Sequence, residues 1–438
     1  MPFIISVDRV RFHLNRLRDR LWVRPLAVCL LSIAAAFVAK LADGTRLTQL
    51  VPLITADSIE TLLSIMAASM LVIATFAVAS MVSAYASAGS TATPRAFTLV
   101  VADDASQNAL STFVGAFIFS IVALTAVKND YFERAGIFFL FVLTLIVFAM
   151  VIIKFVRWVD SIARLGRLST TIDKVEKATV MALKRRRDAP TLGAMPVQSL
   201  TRGQAVFAVR VGYVQHIDIG ALQAWAEKAQ MRVVVAALPG TFAAPDQALA
   251  YVRSQSDEQT EIDCDPVIKS FLIGDDRLFD DDPRFGLVVL SEIAGRALSP
   301  AVNDPGTAID IIGTFLRLFV LWNEPATPGD ENSPKYNRVE VPEISLQDMF
   351  DDAFTAIARD GASVVEVSVR LQKALRSLAS LDNEKMRDVA ESHGSLALNR
   401  ARVGLVMADD LTAVINAAKS AEPVTSSKTQ DAGSLDRE

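Results

Sequence analysis

Residues 62–86 read LLSIMAASMLVIATFAVASMVSAYA, without one Asp, Glu, Lys, Arg or His. A run of about 18 or more such residues is long enough to cross bilayer hydrocarbon as a helix. Three further apolar blocks flank it: Leu26–Ala39, Ala109–Val127 and Ala135–Ile153. The last two meet that length. Leu26–Ala39 is shorter, but Leu21, Trp22 and Val23 extend it around Arg24, whose long side chain can snorkel to the headgroups. The pattern predicts an integral membrane protein of the α-helical class, with four transmembrane helices inside residues 1–157.

The 438 residues are 51% hydrophobic and 21% charged. Both hold together only if apolar and charged residues are segregated, and the chain after Val159 does read as water-soluble. It is long enough for one or two globular domains of ~100–200 residues. The net charge of −5 argues against a nucleic-acid partner, which demands a basic face. Two cysteines, Cys29 and Cys264, supply neither a disulfide framework nor a paired-cysteine metal site. The arginines ahead of the first apolar run imitate a signal peptide. The basic stretch is too long for one and three spans follow, so a retained first helix is expected.

Arg9, Arg11, Arg16, Arg18, Arg20 and Arg24 precede the first span, and Lys154, Arg157, Arg164 and Arg167 follow the fourth. The two loops between hold Arg46, Lys128 and Arg134 against several acids. Lys and Arg excess marks the cytoplasmic side, so both termini are expected there. From Val151 to Arg187 no proline interrupts, and Val159, Ile162, Leu165, Leu168, Ile172 and Val175 recur at helical spacing. A continuous helical stalk over 158–189 is expected. It would carry Lys184–Arg187 about 45 Å out, as a solvated helix end.

Pro190–Gly203 reads as a linker. A small α+β unit, 204–255, follows: strand Ala205–Val214, helix Ile217–Gln230 capped at Asp218, strand Arg232–Leu238, and a third at Ala248–Val252. A cytoplasmic helical domain, 264–420, is expected from Asp265–Leu272, Phe285–Leu298, Pro305–Trp322, Leu346–Leu381 and Asn383–Ser420, the last two forming a long antiparallel hairpin. Glu324–Pro342 reads as a loop, and 421–438 as a disordered tail.

Several of these residues carry a resemblance. Thr93-Pro94-Arg95, Asp103, Ser106-Gln107 and Gly115 form one group; Gly212-Tyr213-Val214-Gln215, Ile217-Asp218 and Pro239-Gly240-Thr241-Phe242 form a second. The third is Arg277, Asp282, Phe285-Gly286, Glu292-Ile293-Ala294, Arg296 to Ala301, Asn303-Asp304-Pro305 and Thr307-Ala308. Together they resemble a bacterial membrane-protein family catalogued as domain of unknown function 2254. The resemblance implies an inner-membrane protein of this layout and supplies no reaction or substrate. Leu278 and Asp281 depart from the pattern, where a threonine and a glutamine are expected, so a ligand pocket built there would differ in this member.

The four spans carry no Asp, Glu, Lys, Arg or His. Proton-coupled transporters carry such groups inside the bilayer, where they mark the path. Their absence counts against such a transporter and against intramembrane catalysis. A passive path lined by hydroxyls is permitted. Ser69, Ser80, Ser83 and Ser87 share one stripe of the second span with Ile73 and Phe76 between them, an arrangement that suits a pore gated by dewetting. Small residues also mediate ordinary contacts between membrane helices. Arg95 suits a pore mouth, or is a lone cation on the positive side. Asp103, Asp104, Ser106 and Gln107 are read as a helix cap.

The acidic run Asp275, Asp276, Asp280, Asp281 and Asp282 lacks the register of a calcium loop; turn and cap use with Arg277 and Arg284 is expected. Ser299, Asn303, Asp304 and Thr307 join two helices. With Glu292 and Arg296 they make either a small ligand site or a structural turn. His13, His216 and His393 show no metal spacing, and His216 is placed to pair with Asp218. Nothing resembles a nucleophilic triad, a P-loop or a dinucleotide fingerprint. The expectation is a homo-oligomeric ion channel or pore with a regulatory cytoplasmic domain that binds a small ligand or ion. It is not an enzyme and has no cofactor or metal. The alternative is a non-conducting membrane-anchored sensor or scaffold.

Overall fold

The structure, a computed structural model, describes residues 23–44, 52–91, 93–101, 104–164, 167–198, 203–254, 263–326 and 334–419. The expectations for the arginines of residues 9–20, His13, Arg46, Asp103 and the tail at 421–438 lie outside them. Contacts divide the chain into two compact units. One is Met1–Leu290 with Thr327–Glu343; the other is Ser291–Ala326 with Ile344–Glu438.

The first unit opens with apolar helices: α1 (Val23–Val38, continued by a 3-10 turn, Ala39–Gly44), α2 (Ala56–Thr91), the short α3 (Phe97–Val101), α4 (Asp104–Lys128) and α5 (Arg134–Arg164). Among the described residues, four helical stretches are long and apolar enough to cross a membrane: Ala56–Ser87, Phe97–Lys128, Arg134–Arg164 and Pro305–Asn323. Three of them contain the second, third and fourth apolar blocks. The apolar part of α1, Val23–Ala35, is shorter. At 1.5 Å per residue α1 is about 24 Å long, and the 3-10 turn adds about 12 Å. That turn carries Lys40 and Asp43, so the first apolar block, unlike the other three, does not by itself give a helix long and apolar enough to cross a membrane.

These helices pack through small residues. A Cβ at Gly115 of α4 would collide with Val28 of α1, so glycine lets the two backbones close. Phe113, Phe119, Leu140 and Trp158 fill the core between α2, α4 and α5. Asp43, at the end of the 3-10 turn, accepts the backbone N–H groups of Glu133 at 2.9 Å and Gly136 at 2.5 Å, and pairs with Lys40 at 3.2 Å. It therefore caps α5 from another segment, a role the local sequence of α5 gives no sign of.

The continuous stalk is not observed. α6 (Leu168–Asp188) starts anew after Arg167, whose extended backbone (φ −75°, ψ 140°) cannot propagate a helix. Its stripe of Ile172, Val175, Ala178, Ala182 and Leu183 is buried within the unit, so packing replaces a free-standing helix, and the 45 Å estimate falls with it. Lys184–Arg187 is not a uniformly solvated end either. Arg186 is 3% exposed, and its Nη2 donates to the Pro342 carbonyl at 3.0 Å. Burial lowers its pKa to about 10.

Two sheets follow, built from β1 (Ala194–Pro196), β2 (Gln204–Phe207), β3 (Gly212–Ile217), β4 (Met231–Val235), β5 (Phe242–Ala243), β6 (Ala248–Ser254), β7 (Phe271–Gly274) and β8 (Tyr336–Val341). Helix α7 (Ile219–Ala229) and the short α8 (Asp265–Lys269) lie between strands. The five-stranded sheet runs β1-β8-β4-β6-β2 and the three-stranded one β5-β3-β7. Four sequence readings change here. The segment read as linker Pro190–Gly203 supplies β1, paired with β8. The single strand Ala205–Val214 is two strands in different sheets, with exposed Val209 between them. The segment read as helix Asp265–Leu272 ends as β7. The segment read as loop Glu324–Pro342 supplies β8, which lies parallel to β4 and buries Val339, Glu340 and Val341. Buried Glu340 is held there by Arg253, with Arg232 3.8 Å away. A charged residue between two valines masks the apolar alternation that marks a strand.

The division into units falls inside α9 (Pro283–Ala297). The second unit continues with α10 (Pro305–Asn323), α11 (Leu346–Asp360), α12 (Val365–Ala379), α13 (Glu384–Gly404) and α14 (Ala408–Ala418). The expected two-helix hairpin is therefore four helices. Gly361 caps α11, and a Cβ at Gly404 would collide with the backbone of Ala362, so both breaks sit where a glycine permits close approach. Phe315, Phe319, Phe350 and Phe354 interlock in the core, with Phe319 and Phe350 centroids 4.4 Å apart.

Candidate functional site

Within the first unit a cleft of about 970 Å³ opens between the end of α2 and the three-stranded sheet. One wall is the turn after α2. Thr93 is buried and its carbonyl accepts the N–H of Ala96 at 3.1 Å, which closes the turn onto α3. Pro94, Arg95 and Thr98 then face the cleft, Pro94 and Arg95 from an exposed position.

The opposite wall is β3 and β7, paired antiparallel with Tyr213 opposite Gly274. Gln215 donates from Nε2 to the Asp276 carbonyl at 2.7 Å, and its amide lies against Gly274, where a Cβ would displace it. Tyr213 meets Phe242 edge to face at 5.1 Å. The Pro239–Phe242 turn is fastened to β3 by hydrogen bonds between Val214 N and Thr241 O (2.9 Å) and between Gly240 N and Val214 O (2.8 Å). Gly240 sits at φ +92°, and a Cβ would strike the carboxylate of Asp282.

Asp282 links the turn to the floor of the cleft. It is 3% exposed, accepts Nε of Arg277 at 2.7 Å, and accepts the N–H of Phe285 at 3.2 Å. Burial pushes its carboxyl above the ordinary carboxylate range, while the Arg277 hydrogen bond and charge pull it back. Arg277 also lies over the Phe285 ring at 5.3 Å, and Phe285 packs on Phe279 at 4.6 Å. The result is a guanidinium fixed from behind by a buried carboxylate and from the side by an aromatic pair.

The acidic run is thus dispersed among separate partners. Asp275 pairs with Arg210 at 2.7 Å, Asp281 with His216 Nδ1 at 2.6 Å, and Asp282 with Arg277; the Asp280 carbonyl accepts from Arg185. His216 was expected to pair with Asp218. β3 ends at Ile217, and Asp218 caps α7 by accepting Ala221 N at 2.9 Å. The two departures from the family pattern fall beside this site: Leu278 lines the cleft, and Asp281 is the His216 partner.

Among the remaining sequence candidates, Arg277 and Asp282 belong to the first unit. Glu292, Arg296, Ser299, Asn303, Asp304 and Thr307 belong to the second. The turn before α10 is accounted for by its own bonds. Asn303 takes the left-handed conformation (φ +51°), and Asp304 accepts Thr307 N at 3.1 Å and Thr307 Oγ1 at 2.6 Å. These bonds hold the Asp304 carboxyl below its ordinary range. A carboxylate thus already occupies the amides at the start of α10. Ser106 and Gln107 are buried rather than presented as a cap, with Gln107 Nε2 donating to Val101 O at 3.1 Å.

On α2 the packed face is Ile59, Leu63, Met66, Ala67, Met70, Ala74, Ala77, Met81 and Ala84. At about 100° per residue the serine stripe lies a quarter turn away. Ser69, Phe76, Ser83 and Ser87 are exposed and Ile73 and Ser80 half-buried, with Phe76 also touching Trp158 at 6.0 Å. Among the described residues no three His, Cys, Asp or Glu side chains gather as a metal site. Arg210, Tyr213 and Phe279 are cleft residues that sequence reasoning did not single out as a site. The signal available was that three separate motif groups each contain a cleft residue.

A family model described as a predicted membrane protein, domain of unknown function 2254, matches residues 18–377. An uncharacterised protein of Mycobacterium tuberculosis (strain CDC 1551 / Oshkosh) is 27% identical over 128 residues, covering 28% of this chain and 25% of that relative. The chain thus spans about a quarter of the length of that curated relative. No solved structure matches. With most of its length matched, including every residue that lines the cleft, this chain belongs to the predicted membrane protein family of domain of unknown function 2254.

Proposed function

We propose that the protein is a multi-pass protein of the bacterial inner membrane, both termini cytoplasmic, whose copies assemble with α2 around an axis as an ion-conducting pore. The observation that carries this reading is the separation of two surfaces on α2. Alanine and methionine serve the packing within one copy, while Ser69, Ser83 and Ser87 are left on its outside. Serines used only for packing would lie in the buried face. α2 ends at Thr91, and Pro94 and Arg95 just beyond it wall the cleft, so whatever fills the cleft lies beside the end of the pore helix. The chemistry is passive permeation, with no enzymatic step, no cofactor and no nucleic-acid partner.

The cleft also favours a second reading, a non-conducting membrane sensor that passes occupancy to a cytoplasmic partner. The two separate cleanly. Reconstituted in liposomes, the pore conducts ions, and Ser83→Phe reduces the flux. A protein that is monomeric by native mass and gives no flux leaves the sensor reading standing.

A further inference from the structure

The geometry points to the cleft as a binding site for a phosphate-bearing ligand, with Arg277 as its fixed anion clamp and Tyr213, Phe279 and Phe285 as the apolar side of the pocket. This deepens the regulatory role proposed above and rests on the same cleft, but not on conduction.

The argument starts from what immobilises Arg277. Its Nε is committed to Asp282 at 2.7 Å, and Asp282 is buried with two donors on it. Among the described residues no hydrogen bond engages the terminal nitrogens of Arg277, and the side chain is still partly accessible from the cleft it lines. A guanidinium held by one edge presents the other as a planar fork matched to phosphate or carboxylate oxygens. Holding it in advance removes the ordering cost that an exposed arginine bears on binding. Arg210 and Arg95 line the same cleft, but Asp275, Asp276 and Asp282 match the three guanidiniums in number, so the case for an anion rests on the fork of Arg277 and not on net charge. A phosphate, with more oxygens than a monocarboxylate, can take both terminal nitrogens of that fork and still offer an acceptor to a second guanidinium.

The rest of the lining sets the shape. The cleft is large for one inorganic ion, in the range of pockets that take drug-sized molecules. Leu278, the departure from the family pattern, adds apolar surface beside the two phenylalanines. The occupant is then a phosphate joined to an apolar or aromatic body. Two sources share that chemistry: an anionic phospholipid, reached because Pro94 and Arg95 stand at the end of an apolar helix, and a soluble phosphate ester such as a nucleotide.

The test measures binding by the full chain. In detergent, equilibrium dialysis with radiolabelled ATP reads the soluble source. In nanodiscs, retention of phosphatidic acid over phosphatidylcholine reads the lipid source. We expect saturable retention in one arm, and which arm binds identifies the source. Arg277→Lys keeps the charge but not the fork and should weaken binding about tenfold. Because that variant also strips Asp282 of its partner, Thr98→Trp serves as the second: it fills the cleft from the α2 side without touching Asp282. No retention in either arm overturns the proposal, as does retention that both variants leave unchanged. A protein that binds but does not conduct keeps this inference and loses only the pore. One that conducts but binds nothing does the reverse.

Discussion

Helices α2 and α10 have similar apolar credentials, since both are long and hydrophobic enough to cross a membrane, yet they arrange their side chains in opposite ways. α10 turns Ile311, Ile312, Phe315, Leu318 and Phe319 inward, each at most 1% exposed, against the aromatic core of its own unit. α2 turns Leu71, Val72, Phe76 and Val82 outward, each more than half exposed, and its buried face is alanine and methionine with Ile59 and Leu63. In water that outward face would cost about 25 cal/mol for each Å² of apolar surface. Hydrocarbon or another copy removes the cost. Composition therefore nominates a membrane helix, and the direction in which its large side chains point decides. On that criterion α2 is the better candidate for a membrane helix and α10 packs as a core helix of its unit.

Substitution of phenylalanine gives the largest expected contrast. Phe354→Ala, in the core against α10, should cost about 3–5 kcal/mol in denaturant unfolding of the full chain. Phe76→Ala, on a residue that is 61% exposed and stands edge to face with Trp158, should cost about 1 kcal/mol. Equal losses would mean that Phe76 is buried in an interface.

Charge insertion sharpens the comparison next. Val72→Lys on α2 should raise the insertion cost by about 3 kcal/mol, read as loss from the membrane fraction. Val320→Lys on α10 should change stability by less than about 0.5 kcal/mol and leave membrane recovery intact. If Val320→Lys also empties the membrane fraction, α10 faces lipid and the distinction fails.

Smaller effects test the rigid points beside these helices. Gly240→Ala should lose more than about 1 kcal/mol, because the left-handed φ and the Asp282 carboxylate both oppose a Cβ. At the start of α10, Asp304→Ala should cost about 1 kcal/mol in unfolding. The folded Asp304 carboxyl lies below its ordinary 3.8, so its stabilisation is present above that pH and is lost as pH falls through the lower folded value. Asp304→Asn keeps a cap without a proton to gain, so it should flatten that acid limb.

Much of this was legible in the residues. The apolar blocks beyond the first each became a long helix, α7 begins at the Asp218 cap, and Asp304 caps α10 as the Asn303-Asp304-Pro305 run implies. What failed had non-local causes. The stalk reads as one helix because the apolar spacing runs on past Gly166, a glycine that costs a helix only about 1 kcal/mol and so does not by itself announce the extended Arg167. β8 hides because its buried Glu340 is neutralised by Arg253 and Arg232 from other strands. Gly361 and Gly404 look tolerable inside long helices until the close approach of other backbone and side chains is seen. The cleft was invisible for the same reason, since its lining comes from three stretches that only the fold assembles. Its motif residues were nonetheless on the page, and Arg277 and Asp282 were already singled out together.

Cysteine cross-linking in native membranes reads the central claim most directly. With Cys29 and Cys264 replaced by serine, Ser83→Cys should form disulfide-linked copies under mild oxidant. Val82→Cys, also exposed on α2 but about 100° around the helix and away from the serine stripe, should not. Cross-links from Val82→Cys and none from Ser83→Cys would contradict an assembly with the serine flank at its axis.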